Sequence, residues 1–412
     1  MTTPEDVKTG RGRGLRVLRL CSVFMPPAAA LGDRGAGFDP VGGMQNHTLE
    51  LTKALDGLGL LQTVVTTRVP SSPRLQGLGR RAEVRRLGIP IRRFRQLYSV
   101  PAARLVPKLA RAADLIHVHL GEDLAVLPLG VLASKAGGVP LVVTVHCSLA
   151  HTLSAVDART AALKLVGGAI ERRCTRSAGA VIAITARLAR ILEAGGVAPA
   201  RIHTIPPGID RSLFTGPWED PLPEIDRPRV VFIGRLVPGK GVDVLLDAVA
   251  HMTVPAEIVI VGDGPERGAL ERKAAEGRAA GRTNFTGFVP HDRVPAVLDN
   301  ADVLVLPSRY EELGSILIEA IQVGAPIVAT RIGGIPDLID DGRSGLLVPP
   351  GDPRALACAL DRVLAEAGLA QRLRASASRG VGLREWSTVA EQVLDVYGAV
   401  LGRRFAAPSE IA

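Results

Sequence analysis

A short cationic segment, FIGRLVPGKG at 232–241, has nearly the spacing of a phosphate-binding loop. It reads G-x-x-x-x-G-K-G, one residue short of the P-loop pattern G-x-x-x-x-G-K-[ST]. The Ser or Thr of a true P-loop coordinates magnesium, and Gly241 offers no oxygen for that purpose. Asp302, in ADVLVLP, is the candidate Walker B aspartate, but it lies at the wrong end of its strand. The segment therefore does not predict a nucleoside triphosphatase.

The same segment still suits a diphosphate. Arg235 and Lys240 follow an apolar strand and precede a helix, whose first backbone N–H groups favour anions. An arginine binds phosphate with two parallel hydrogen bonds, and a lysine adds a mobile point charge. Two surface cations on a loop are the alternative interpretation.

Two carboxylates follow in the segment PSRYEELGSILIEAIQVGAPIV. Glu311 lies in a loop and Glu319 lies eight residues later, inside a helix that we expect to begin near Gly314. A glycine there lets a ligand approach the backbone closely. Glu319 can accept paired hydrogen bonds from a vicinal diol, whereas capping and solvation are the simpler roles for both carboxylates.

The elements that position these residues alternate between strands and helices, which is typical of parallel βαβ units. The first half predicts a helix over Met44–Gly57 and the strands LRVLRLCSV, LQTVVTT, DLIHVHL, PLVVTVH, GAVIAIT and RIHTIPP. After Asp220 the predicted strands are RVVFIG, EIVIVG, TNFTG, ADVLVLP, PIVATR and GLLVP. A segment rich in proline and acidic residues, 206–228, separates the halves. Two open α/β sheets would place their ligand sites at the carboxyl ends of the strands.

The composition indicates a globular protein. A chain of 412 residues is longer than one hydrophobic core normally supports, so we expect two domains. Its four cysteines lie far apart, which fits reduced thiols better than disulfides or a zinc site. Residues 1–16 lack the apolar core of a signal peptide, and no uncharged run is long enough for a membrane span. We expect a cytoplasmic protein.

The formal net charge is +9, and the segment 80–95 contains seven arginines and one glutamate. This basic patch suits an anionic partner such as a phospholipid, or it is a solvated loop and strand edge. Aromatic residues for base stacking are scarce, so we expect no nucleic-acid partner.

Seven segments in order resemble the retaining glycosyltransferases of family 4. They are VGGMQNHTLELTKAL, VVTVHCS, TIPPGID, FIGRLVPGKGVDVLLDA, VGDGPE, FTGFVP and the E-x7-E stretch. The resemblance implies the GT-B fold, in which two Rossmann-like, doubly wound domains face a central cleft. We expect an acceptor-binding domain over 1–208, a nucleotide-sugar domain over 209–385, and a C-terminal helix within 386–412 that returns to the first domain.

The resemblance also implies roles for individual residues. Arg235 and Lys240 would neutralise the leaving diphosphate, while His146 would face the donor sugar or its phosphate. Glu311 would bind donor-sugar hydroxyls and Glu319 the ribose. The implied catalytic residues are His146, Arg235, Lys240 and Glu311. The implied donor-binding residues are Gly42, Gly43, Arg235, Lys240, Gly287, Phe288, Val289, Leu313, Gly314 and Glu319.

Cations on the diphosphate can replace the metal that other transferases use, and the sequence has no D-x-D motif. We therefore expect a metal-independent hexosyltransferase with no cofactor besides its UDP-sugar donor.

The strand sequence HVHL raises a zinc alternative with His117, His119 and His146, but no cysteine or carboxylate accompanies it. A hydrolase would need both glutamates to flank one bond, and Glu319 is implied to hold the ribose.

Two alternatives from other classes are weaker. VGDGPERG has the spacing G-x-G-x-x-x-G, which differs from the dinucleotide fingerprint of an oxidoreductase. A catalytically inactive module that only binds sugar nucleotides would lack some of the five implied residues. All five are present, namely His146, Arg235, Lys240, Glu311 and Glu319.

The VGGMQ segment with its preceding loop, VHCS, and EELGS in place of E-G-F-G resemble transferases of 2-deoxystreptamine antibiotics. This implies N-acetylglucosamine transfer from UDP-N-acetylglucosamine to an aminoglycoside intermediate. Because an aminocyclitol is polycationic and the chain is basic, the cleft would have to be locally acidic, and Glu122, Asp123 and Asp157 are the candidate carboxylates in the N-terminal half. The mycothiol-pathway transferase, which uses an inositol phosphate, shows similar glycine loops. A membrane glycolipid or polysaccharide acceptor, contacted through 80–95, is a third possibility.

Overall fold

The structure is a computed structural model, and it describes residues 12, 14–27, 42–90, 96–148, 151, 158–380 and 384–405. The chain divides into two compact units. The first comprises Met1–Phe38, Met44–Gly208 and Arg384–Ala412. The second comprises Asp39–Gly43 and Ile209–Leu383.

The first unit is built on an eight-stranded sheet in the order β3-β4-β2-β1-β5-β6-β7-β8. The strands are β1 (Arg16–Cys21), β2 (Leu61–Thr67), β3 (Leu75–Leu78), β4 (Ala82–Leu87), β5 (Leu115–Leu120), β6 (Leu141–Val145), β7 (Ala180–Ala183) and β8 (Ile202–Thr204). The connecting helices are α1 (Gly43–Gly57), α2 (Ser99–Ala110), α3 (Val126–Gly137), α4 (Ala158–Ser177) and α5 (Ala186–Ala194). All pairs are parallel except β3 with β4. The central strands are buried on both faces, which explains their continuous apolar runs.

The second unit is built on a six-stranded parallel sheet in the order β11-β10-β9-β12-β13-β14. The strands are β9 (Arg229–Ile233), β10 (Glu257–Val261), β11 (Thr283–Gly287), β12 (Val303–Leu306), β13 (Ile327–Thr330) and β14 (Leu346–Val348). The helices are α6 (Val242–Val249), α7 (Arg267–Glu276), α8 (Val294–Asp299), α9 (Ser315–Val323), α10 (Ile335–Leu338), α11 (Pro353–Ala365) and α12 (Leu369–Gly380). Each strand predicted from the sequence is present, as is the helix predicted over Met44–Gly57.

The last helix, α13 (Trp386–Leu401), belongs to the first unit. Its residues Trp386, Val393 and Tyr397 share one buried cluster with Leu51 of α1 and Ile182 of β7. The helix therefore contributes to the core of the sheet that begins more than 350 residues earlier in the chain.

The basic patch 80–95 is only partly a solvated loop. Residues 82–87 form β4, and Arg86 is 2% exposed while its Nη2 donates to the carbonyl of Met25 at 3.2 Å. Strands β3 and β4 were not predicted, because their arginines and glycines mask the apolar alternation. Residues 91–95 lie outside the described part of the chain.

Each sheet has one point at which the strand order reverses direction. In the first sheet the point lies between β1 and β5, and in the second it lies between β9 and β12. Ligands of doubly wound sheets bind at the carboxyl ends of such strand pairs. Among the described residues, no helix combines the length and apolar character needed to span a membrane.

Candidate functional site

The loop after β9 carries both predicted cations and ends in a glycine that has no substitute. Arg235 is half-buried, and Lys240 closes a 3-10 turn, Pro238–Lys240. Gly241 has φ +66°, and a Cβ there would lie 2.1 Å from the carbonyl oxygen of Pro307. The fold therefore excludes the Ser or Thr of a P-loop at this position, which is the physical reason for the departure seen in the sequence.

Gly262 and Gly264, the glycines of VGDGP, pack against the backbone of the loop after β9, which explains them without a bound dinucleotide. A Cβ on Gly262 would lie 1.9 Å from the oxygen of Gly234, and one on Gly264 would lie 2.3 Å from the oxygen of Leu236. The backbone N–H of Leu236 donates to the carbonyl of Asp263 at 2.9 Å. The loops after β9 and β10 thus touch backbone to backbone, which fixes the segment on either side of Arg235.

The loop after β12 brings a carboxylate to the lysine. Lys240 Nζ donates to Glu311 Oε2, and Ser308 Oγ lies 3.4 Å from the same oxygen. The side chains of Lys240 and Glu311 are 21% and 14% exposed, so the pair is sheltered but reachable from solvent. The backbone N–H of Arg309 donates to the carbonyl of Gly239 at 2.8 Å, which ties the two loops together beside the ion pair.

A glycine pair after β13 supports Glu311 from its backbone side, and sequence reasoning missed it. A Cβ on Gly333, which has φ +60°, would lie 1.5 Å from the carbonyl oxygen of Glu311. The N–H of Gly334 donates to the carbonyl of Glu312 at 3.0 Å. The available signal was the dipeptide Gly-Gly one residue after a predicted strand, PIVATR.

Glu319 lies on α9, which begins after Gly314, a residue with φ +73°. Glu319 Oε1 lies 3.1 Å from His291 Nε2, and the Glu319 side chain is 13% exposed. Within the described part of the chain, the second oxygen, Oε2, is buried and has no hydrogen-bond partner. That oxygen therefore keeps an unfilled acceptor position. His291 was also missed, although it follows FTGFVP directly.

Other predicted donor-binding residues surround these two loops in the second unit. Leu313 is 5% exposed, and Phe288 and Val289 are half-buried after β11. The carbonyl of Gly287 accepts a hydrogen bond from the N–H of Gly262 at 2.7 Å. The backbone at Gly287 therefore joins the loops after β10 and β11.

Gly42 and Gly43 stand where α1 begins and are grouped with the second unit, whereas His146 follows β6 directly in the first unit. His146 is 9% exposed, and its Nε2 lies 3.2 Å from Nδ1 of His119. Burial, and secondly the charge of Arg19, lowers the pKa of His146 to about 3. The ring is therefore neutral at physiological pH.

A buried arginine lies beneath His146. Arg19 is 1% exposed, its Nη2 lies 2.7 Å from Nε2 of His119, and its Nη1 donates to Thr52 and Gln62. Among the described residues, the hydrogen-bond partners of the Arg19 guanidinium include no carboxylate. Burial also lowers the pKa of His47, His117 and His119 well below the usual range.

The zinc alternative based on HVHL does not fit the hydrogen bonds of His117. Its Nδ1 lies 2.6 Å from the hydroxyl of Tyr397, and its Nε2 lies 2.8 Å from the hydroxyl of Thr144. Both ring nitrogens are therefore engaged. The histidines whose ligand atoms approach one another within 4.8 Å are His47, His119 and His146.

Of the candidate acceptor carboxylates, Asp123 already serves the fold. It is buried, and its oxygens accept from the hydroxyl of Tyr98 at 2.8 Å and the N–H of Ala125 at 2.7 Å. Glu122 is exposed, and Asp157 lies outside the described residues.

Two family models match the chain. "Glycosyltransferase Family 4" covers residues 41–213, and "Glycosyl transferases group 1" covers residues 219–379. Together they cover every strand of the two sheets except β1.

Curated relatives align with nearly the whole chain. A 2-deoxystreptamine glucosyltransferase of Streptomyces kanamyceticus is 34% identical over 83% of this chain and 93% of its own length. A 2-deoxystreptamine N-acetyl-D-glucosaminyltransferase of Streptomyces fradiae is 31% identical over 94% and 98%. A D-inositol 3-phosphate glycosyltransferase of Xylanimonas cellulosilytica is 30% identical over 95% and 98%.

Solved structures share the fold. A sucrose-phosphate synthase from Thermosynechococcus elongatus superposes with a TM-score of 0.79 at 24% identity, covering 94% of this chain and 99% of that one. Anabaena HepE, in complex with UDP and glucose, has a TM-score of 0.73 at 20% identity, covering 93% and 100%. These likenesses confirm the GT-B fold with its two Rossmann-like sheets. The chain belongs to the family 4 glycosyltransferases.

Proposed function

We propose that this glycosyltransferase moves N-acetylglucosamine from UDP-N-acetylglucosamine to a hydroxyl of a 2-deoxystreptamine-containing aminoglycoside intermediate, with retention of configuration. The observation that carries the proposal is the contact between Lys240 and Glu311. It joins the loops after β9 and β12, where a doubly wound sheet binds its ligand.

The diphosphate of the donor is assigned to Arg235 and Lys240. Both side chains are half-buried in the loop after β9, and Lys240 is 21% exposed. Sheltered cations interact with phosphate more strongly than fully solvated ones, because the local dielectric is lower. They would stabilise the negative charge that develops as the sugar–phosphate bond breaks.

The Lys240–Glu311 ion pair would open when the donor binds. Lys240 would turn from the carboxylate to a phosphate oxygen, and Glu311 would then accept hydrogen bonds from sugar hydroxyls. The pair thus keeps both charges satisfied before the donor binds, since an unpaired buried charge is costly.

Glu319 is assigned to the ribose. Its Oε1 is engaged by His291, and its buried Oε2 lacks a partner among the described residues. A ribose hydroxyl would supply the missing donor. Phe288 and Val289 would meet the nucleobase.

In the transfer step, the bond from the anomeric carbon to the diphosphate oxygen breaks and a bond to the acceptor oxygen forms on the same face. The acceptor proton passes to the departing diphosphate oxygen, so no side-chain nucleophile is needed. Two cations beside the diphosphate, together with the absence of D-x-D from the sequence, support metal-independent transfer.

An inositol phosphate is the second candidate acceptor. The relative at 30% identity that acts on D-inositol 3-phosphate supports it, as does the buried Arg86, whose Nη1 has no hydrogen-bond partner among the described residues. The higher identity of the 2-deoxystreptamine relatives, 34% and 31%, favours the aminocyclitol.

The proposal is tested by UDP release from UDP-N-acetylglucosamine and UDP-glucose, with EDTA present. The acceptor panel contains 2-deoxystreptamine, paromamine, ribostamycin and inositol 3-phosphate. We expect turnover with UDP-N-acetylglucosamine and one aminocyclitol, and loss of turnover in Glu319→Ala. Turnover with inositol phosphate alone, or with UDP-glucose alone, would overturn the acceptor or the donor assignment respectively.

A further inference from the structure

We propose that Arg19 is a positioning residue that acts through His119 to hold His146 in one tautomer, with its ring proton on Nδ1. The inference rests on the proposed function only in taking His146 to face the donor, the role that the family resemblance implies for it. The chain of contacts itself is a property of the first unit.

The first contact fixes His119. A guanidinium has donors and no acceptor, so Arg19 Nη2 donates to His119 Nε2 across 2.7 Å. His119 Nε2 therefore carries no proton. A neutral ring with an unprotonated Nε2 must carry its proton on Nδ1.

The second contact passes this constraint to His146. Nδ1 of His119 lies 3.2 Å from Nε2 of His146, so the Nδ1–H donates and the Nε2 accepts. The proton of the neutral His146 ring is thereby confined to Nδ1. The hydrogen bond made by one ring nitrogen decides the state of the other.

Three features hold the relay rigid. Arg19 is anchored at Nη1 by Thr52 and Gln62, and Thr52 in turn donates to the carbonyl of Thr48. The three relay residues are at most 9% exposed, so water does not compete for these bonds. β1 and β5 pair directly, with Cys21 opposite His119 and Arg19 opposite His117.

The consequence for the reaction is specific. His146 offers an N–H, so it can donate to a phosphate or sugar oxygen of the donor but cannot remove a proton from the acceptor. This agrees with a transfer step in which the diphosphate oxygen takes that proton. Sequence reasoning selected His146 but gave no role to Arg19, which reads as one polar residue inside an apolar strand.

The same hydrogen bonds disfavour a metal on His47, His119 and His146. A metal ligand must be an unprotonated nitrogen, and His119 Nε2 is occupied by Arg19 while Nδ1 is protonated. Zinc binding and the relay therefore exclude each other.

The direct test is a two-bond ¹⁵N–¹H correlation spectrum of the full chain with ¹⁵N-labelled histidine. We expect His119 and His146 to show the Nδ1–H tautomer in the wild type. An Nε2–H tautomer at His146 would overturn the relay, as would stoichiometric zinc binding that shifts both rings. Neither readout needs turnover, so a wrong acceptor or donor would leave this test intact.

Variants separate positioning from packing. An asparagine amide nitrogen occupies about the place of a histidine Nδ1, so His119→Asn retains a donor to His146 whereas His119→Leu removes it. We expect kcat to fall between about 10- and 100-fold in His119→Leu, with a change in donor KM below about threefold. His119→Asn should recover to within about fivefold of the wild type.

Arg19→Met should release the His146 tautomer in the spectrum, and Tyr397→Phe is its matched control. The Tyr397→Phe substitution removes a similarly buried hydrogen bond, the one between the Tyr397 hydroxyl and His117, which lies outside the relay. Tyr397→Phe should leave the His146 signals and kcat unchanged. Equal effects of His119→Asn and His119→Leu, or an unchanged His146 spectrum in Arg19→Met, would overturn the proposal.

Discussion

The two sheets reverse strand order in the same way, yet the polar residues at their reversal points differ in kind. At β1 and β5 of the first unit, a guanidinium and neutral histidines are buried, with Arg19 and His119 at most 1% exposed. At β9 and β12 of the second unit, Lys240 and Glu311 form an ion pair with 21% and 14% exposure.

The difference indicates a division of labour. A fully buried network of hydrogen bonds loses much if one partner moves, so it suits the fixed presentation of one ring. An ion pair that solvent still reaches costs less to open than a fully buried one, so it suits an exchange of partners on ligand binding.

The largest effect is expected at Lys240, one of the two cations proposed to bind the diphosphate. Lys240→Met should lower kcat/KM by about a thousandfold, because in the proposed mechanism the lost charge would stabilise the transition state in a sheltered site. Steady-state UDP release measures the change. Lys273→Met is the control, since Lys273 forms an exposed ion pair with Asp247. A loss below about tenfold in Lys240→Met would remove the lysine from the reaction.

The next effect concerns the stability of the loop at Gly241, where a P-loop would have Ser or Thr. Gly241→Ser should destabilise the protein by about 3 kcal/mol, because the side chain would need φ +66° and would meet the Pro307 carbonyl. Urea unfolding measures it. Gly239→Ala is the matched control, as a Cβ at Gly239 has no neighbour within 4 Å. A Gly241→Ser variant of wild-type stability would contradict this account of the loop.

The third effect is acid destabilisation of the first unit. Burial lowers the pKa of His47, His117 and His119 well below 6.5, and that of His146 to about 3. The unfolded chain therefore binds more protons below pH 6.5, and stability falls as pH drops from 6.5 toward 3. Between pH 7.5 and 5.5 the loss should be about 1 kcal/mol for each histidine.

Denaturant unfolding at several pH values measures this loss. His146→Gln should reduce the slope of stability against pH over that interval, whereas His251→Gln, at an exposed position of the second unit, should not. A flat profile between pH 7.5 and 5.5 in the wild type would mean that the four rings are not held neutral.

The smallest effect is expected at His291, which contacts the carboxylate proposed to bind the ribose. His291→Gln should raise the donor KM by about fivefold with kcat unchanged, because one hydrogen bond to Glu319 is altered. Glu319→Gln should raise it further. Initial rates over a range of donor concentrations distinguish the two. A change confined to kcat would place His291 in the chemistry instead.

Much of the fold was predictable, because buried parallel strands are continuous apolar runs such as VVFI and IVIV. β3 and β4 were not, since an edge hairpin with arginines lacks that signal. The roles of Arg235, Lys240, Glu311 and Glu319 came from resemblance and stay predictions. Contacts between distant segments, such as Gly333 against Glu311 or Arg19 against His119, could not be predicted, because spacing along the chain does not contain them.

In the proposed mechanism, the loops after β9 and β12 bind a nucleoside diphosphate without a metal. The decisive experiment is a calorimetric titration of the full chain with UDP, in buffer containing EDTA. We expect binding that EDTA does not alter and that Lys240→Met weakens at least tenfold, with Lys273→Met unchanged. Binding that requires a divalent cation, or that Lys240→Met leaves intact, would contradict it.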